Sequence, residues 1–121
     1  MPVKKIESIK AGDIWWVNLV IKEDETVGRE TQKTRPCLVL ANCPETKMVL
    51  IAPFFSNLGT RRLPHTYTIK KHSHNGLDND SVVALFQVRS LDYNRFKSFS
   101  GTIKKDDLKK IRMLISNFLQ L

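Results

Sequence analysis

A chain of 121 residues, 41% of them apolar, can bury one packed core and is expected to form a single domain over residues 1–121. Twenty Lys and Arg against 12 Asp and Glu leave a net charge of +8, which favours polyanionic partners over cationic ones. Cys37 and Cys43 are too few to staple a secreted scaffold, and the apolar run from Ile14 to Ile21 is too short for a membrane span or signal peptide and is interrupted by Asn18; a cytoplasmic protein is expected.

After the turn Gly12-Asp13, the stretch from Ile14 to Val20 reads as a strand that is apolar on both faces. Trp15 and Trp16 must point in opposite directions. One belongs to the core, and the other packs at an interface or offers a ring to a nucleobase. A charged loop from Lys22 to Lys33 follows. The runs Pro36–Ala41 and Met48–Ala52, separated by Asn42-Cys43-Pro44-Glu45, predict a hairpin or neighbouring strands, with Pro53 ending the second. Cys37, inside the first run, reads as a small buried hydrophobe.

A basic loop from Asn57 to His65 leads to the alternating segment Thr66–Lys70, expected as an edge strand. After the turn-rich stretch from His74 to Asp80, the run Val82–Phe86 predicts another strand. Leu108, Ile111, Leu114, Ile115, Phe118 and Leu119 then recur at helical spacing. Asp106 and Asp107 suit the first turn of that helix, whereas Lys104-Lys105 supplies no good capping side chain. The expected architecture is mainly β with a C-terminal helix, five or six short strands forming a small barrel. His65, His72 and His74 lack the spacing of a full ligand set, so no metal and no cofactor are expected.

Three clusters at strand ends and in loops carry the chemistry: Gly28 to Pro36, Pro53-Phe54-Phe55-Ser56, and Gln87 to Asp92. Together with Gly12-Asp13-Ile14-Trp15-Trp16-Val17, Ser81-Val82-Val83 and Gly101 before the terminal helix, they stand in an order and spacing that resemble the MazF/PemK toxins over essentially the whole chain. The resemblance implies an SH3-like barrel with a C-terminal helix, usually a homodimer. It also implies metal-independent cleavage of single-stranded RNA and inhibition by a cognate antitoxin.

Arg35, within Thr34-Arg35-Pro36, matches the family's catalytic arginine. The chemistry agrees: a guanidinium stays charged and gives two parallel hydrogen bonds to a phosphate. Arg29, Glu30, Lys33, Thr34, Gln87 and Arg89 are expected to contact RNA, with Arg61 and Arg62 extending the track. Three positions depart from the family pattern. Phe55 stands where a Pro-x-Thr hydroxyl is usual, leaving Ser56 as the available hydroxyl. Phe86 replaces a frequent acid, and Arg29 a frequent His or Ser. Two other readings follow from these departures and from fold kinship: a barrel that only binds RNA or antitoxin, and a CcdB-like topoisomerase poison. Arg35 within Thr34-Arg35-Pro36 favours the nuclease over the topoisomerase poison.

Overall fold

The computed structural model describes residues 4–19 and 34–121. Among the described residues seven strands precede one α-helix: β1 (Asp13–Asn18), β2 (Thr34–Cys43), β3 (Met48–Phe55), β4 (Thr66–Ile69), β5 (Ser81–Ala84), β6 (Arg89–Asp92), β7 (Phe96–Thr102) and α1 (Lys105–Leu119). Every described ladder is antiparallel, in the order β4-β5-β3-β2-β1-β7, with β6 pairing on β3. The β2–β3 hairpin and the β4 edge strand stand as the sequence predicts.

Alternation along the central strands sorts side chains into two cores on opposite faces. Trp15, Val17, Cys37, Val39, Val49 and Ile51 join Leu91 of β6 and Phe96 of β7 in the first. Because β6 and β7 lie on opposite sides of the β3-β2-β1 run yet share this cluster, the sheet must curl around it. The result is barrel-like, although among the described residues no ladder joins β4 to β7 and the sheet stays open. Ile14, Leu38, Ala52, Phe54 and Val83 point the other way and are covered by Ile111 of α1. Ile111 is fully buried, a gain of about 1.5–3 kcal/mol that docks the helix.

Asp13 is also fully buried. Its carboxylate accepts the Lys4 ammonium at 2.7 Å and the Lys10 N–H at 3.1 Å, tying the N-terminal segment to β1. Lys104 caps α1 without a side-chain bond, as its sequence suggests. The first turn is held from outside instead: the Tyr67 hydroxyl of β4 donates to Asp107 at 2.6 Å. Burial, then this bond, pushes the Tyr67 phenol up to about 12.

Two expectations require correction. Pro53 does not end its strand; β3 runs through it to Phe55. β6 covers β3 only to Ile51, and β5 takes over at Phe54. Pro53 therefore falls between those two ladders, where its missing N–H removes no bond to either. The strand predicted over Val82–Phe86 stops at Ala84. Leu85 turns into a short 3-10 segment, its N–H bonded to the His65 carbonyl at 2.9 Å and its side chain buried in the helix-side core. Burial of Leu85 has overridden local β propensity.

Candidate active site

The β2–β3 ladder ends at the pair Cys37–Pro53, after which β3 leaves β2 for β5. Continuing that register places Arg35 across from Phe55, on the face that also carries Cys37 and Ile51. The contact is direct. The Arg35 guanidinium carbon lies 4.6 Å from the Phe55 ring centre, and its Nη1 donates to the Phe54 carbonyl at 3.4 Å. Arg35 is half-buried at the mouth of the first core.

Where the two strands part, a cleft of about 210 Å³ opens. Trp16 of β1, Thr34 and Pro36 of β2, Phe54 of β3 and Ser56 just past the end of β3 line one side. Arg35 joins them, and Leu77, Asp78, Asn79 and Ser81 come from the segment entering β5. Trp15 is the core tryptophan at 3% exposure, and Trp16 is the one that reaches the cleft. Ser56 also borders an adjoining depression with Leu58, Lys71, Asn79 and Asp80.

The cleft thus combines a permanent cation, the hydroxyls of Thr34, Ser56 and Ser81, and the carboxylate of Asp78. A guanidinium stabilises an oxyanion, hydroxyls orient a phosphate, and a carboxylate can accept a proton. Asp78 was not among the residues singled out by sequence. It stands in a turn-rich loop with no motif around it, and only the approach of that loop to β3 brings it here.

The other sequence candidates are distributed unevenly. Arg89, half-buried on β6, is paired with Ile51, and its charge acts on Cys37 together with that of Arg35. Gln87 is exposed at the end of the 3-10 segment after β5. Arg61 and Arg62 are exposed in the 3-10 segment Leu58–Arg62 and do not line the cleft. Arg29, Glu30 and Lys33 lie outside the described residues. His72 and His74 meet through their Nδ1 atoms, and burial, then the neighbouring His72, pulls His74 below the ordinary imidazole range. His65 rests on Phe118 with ring centres 4.6 Å apart. Among the described residues, no group of three or more His, Cys, Asp or Glu is arranged to hold a metal.

Cys37 is fully buried, and its thiol is pushed up to about 12; desolvation outweighs the opposing charges of Arg35 and Arg89. It is therefore no nucleophile at neutral pH. Native protein treated with iodoacetamide at pH 8 should be alkylated at exposed Cys43 and spared at Cys37. Equal labelling of both would contradict this burial. The raised pKa also sets a stability window: the contribution is intact below pH 9 and is lost as pH rises toward about 12, because the unfolded thiol ionises first.

A family profile described as the PemK-like, MazF-like toxin of type II toxin–antitoxin systems matches residues 10–119. Endoribonuclease MazF of Staphylococcus epidermidis is 29% identical over 119 residues, spanning 91% of this chain and 95% of that protein. Among solved structures, MazF of Deinococcus radiodurans superposes with a TM-score of 0.71 at 24% identity, covering 93% of this chain and 97% of the other. A mycobacterial endoribonuclease in complex with its cognate antitoxin gives 0.71 at 14% identity, with 94% and 97% covered. At those identities the two structures speak for the fold alone. The profile match spans nearly the whole chain, and the chain belongs to the PemK-like, MazF-like toxin family of type II toxin–antitoxin systems.

Proposed function

We propose that this protein is an endoribonuclease toxin that cuts single-stranded RNA in the cytoplasm, at short sequences and without a metal. The observation that carries the reading is Arg35, oriented by a carbonyl and a ring at the rim of a hydroxyl-lined cleft. RNA contains its own nucleophile, the 2′-OH, which attacks the adjacent phosphate and expels the 5′ oxygen. The protein has to stabilise charge on the phosphorane oxygens and move two protons. Arg35 supplies the charge permanently, which is the service a metal would otherwise give. Ser56 holds or orients the phosphate from the cleft wall, and Thr34, Gln87, Arg89, Arg61 and Arg62 extend contact along the strand, as do Arg29, Glu30 and Lys33.

The toxin works as a homodimer and is silenced by a cognate antitoxin. Membership of a family of type II toxin–antitoxin toxins, and a relative from Staphylococcus epidermidis named an endoribonuclease, support the toxin and antitoxin parts of that assignment. A net charge of +8 suits an acidic segment of the inhibitor as well as RNA.

Purified protein incubated with single-stranded RNA in EDTA should leave a 2′,3′-cyclic phosphate and a 5′-hydroxyl, and DNA of the same sequence should stay intact. A magnesium requirement would overturn the metal-free reading, and equal cutting of DNA would overturn the mechanism, since DNA has no 2′-OH to attack. A second reading, a barrel that binds RNA or antitoxin without cutting, draws on Phe55 standing where the family pattern carries a hydroxyl. Tight binding with no cleavage in the same assay would select it.

A further inference from the structure

We infer that Phe55 is a positioning residue for Arg35, and that its aromatic ring, rather than a hydroxyl, holds the guanidinium for phosphate. The inference rests on the nuclease reading above for its consequence, but not for the contact itself. Arg35 emerges beside the last pair of the β2–β3 ladder, half-buried, with a long side chain that loses much rotamer entropy when fixed. Two contacts among the described residues hold it. The Phe54 carbonyl accepts from Nη1 at 3.4 Å, and the Phe55 ring centre sits 4.6 Å from the guanidinium carbon.

The ring contact differs in kind from a hydrogen bond. A cation over an aromatic face is attracted by the ring quadrupole and gives up no N–H in return. Among the described residues the Phe54 carbonyl takes one of the five guanidinium donors, which leaves a bidentate pair for a phosphate. A threonine at position 55 would instead offer its own hydroxyl and leave the arginine without a platform. The two neighbours also have separate roles: Phe55 carries the ring under Arg35, while Ser56, just past the end of β3, lines the cleft with Phe54.

The test compares Phe55→Leu, which keeps apolar volume but has no ring, with Phe55→Tyr, which keeps the ring. On a single-stranded RNA oligonucleotide, Phe55→Leu should lower kcat about tenfold with KM nearly unchanged, and Phe55→Tyr should recover most of that loss. The contact is read independently by NMR. The Arg35 side-chain protons should be shifted upfield by the ring current in wild type and Phe55→Tyr, and should return toward free-arginine values in Phe55→Leu. Should Phe55→Leu not fold, Phe55→Met takes its place.

Equal kcat for Leu and Tyr, or an Arg35 shift indifferent to loss of the ring, would overturn the inference. A rise in KM alone would overturn it too, since the ring would then be stacking on RNA. Wild-type protein that cuts no RNA, yet loses the Arg35 shift in Phe55→Leu, would support the contact and sink the nuclease reading.

Discussion

Replacing Arg35 with alanine should lower RNA cleavage about 100- to 1000-fold while the protein stays folded. The rate effect follows from losing one charged donor to the developing oxyanion, a loss of roughly 3–4 kcal/mol of barrier stabilisation. Stability should change little, because Arg35 is only half-buried and its hydrogen bond to the Phe54 carbonyl is long at 3.4 Å. Arg35→Lys should restore little activity. An ammonium carries the charge but cannot make the planar two-bond contact with phosphate. Single-turnover rates, with circular dichroism melting as the control for fold, decide the matter. A folded Arg35→Ala protein cutting at nearly the wild-type rate would make Arg35 structural and move the chemistry elsewhere in the cleft.

A large effect on stability is expected at Gly101, on β7. A Cβ there would lie 2.4 Å from the His74 carbonyl oxygen and 2.6 Å from the Asn75 carbonyl carbon. Both obstacles are backbone atoms, and the segment that owns them is clamped. Asn75, 1% exposed, donates from its side chain to the Lys70 carbonyl at 3.0 Å and accepts from the His72 and Leu77 N–H groups. Its own carbonyl accepts the Ser100 hydroxyl at 3.0 Å, and the Thr102 N–H donates to the His74 carbonyl at 2.9 Å. The loop cannot retreat from a methyl group without breaking several of these bonds.

Gly101→Ala should therefore cost about 3 kcal/mol, near the upper end for overpacking, and lower Tm by roughly 10 °C. Gly59→Ala is the control, since its Cβ would meet only the Asn57 side-chain oxygen, at 3.1 Å. Equal melting of the two variants would show that the His72–Gly76 turn moves freely. Because the same segment continues into Leu77, Asp78 and Asn79, displacing it should also disturb the cleft beside Arg35.

The sequence by itself determined what depends on neighbours along the chain. Period-two alternation set the two faces of β1, β2 and β3, and the spacing from Leu108 to Leu119 set the helix, because backbone geometry alone fixes which side chains share a face. One core tryptophan of the pair followed from the same rule. Thr34-Arg35-Pro36 marked the residue around which the cleft is built.

β6 and β7 were not delineated as strands by the sequence. Their segments, Arg-Ser-Leu-Asp and Phe-Lys-Ser-Phe-Ser-Gly-Thr, are short or rich in polar residues and become strands by pairing with β3 and β1. Tertiary structure also decided that β3 passes through Pro53, because two different partners meet β3 on either side of that proline. It turned Leu85 into the helix-side core, ending β5 two residues before the apolar run does. Asp78 reached the cleft only by folding of a loop with no motif of its own. Local periodicity states which way a side chain points. Which strand a segment joins, and which loop closes over an arginine, is settled by burial between residues far apart in the chain.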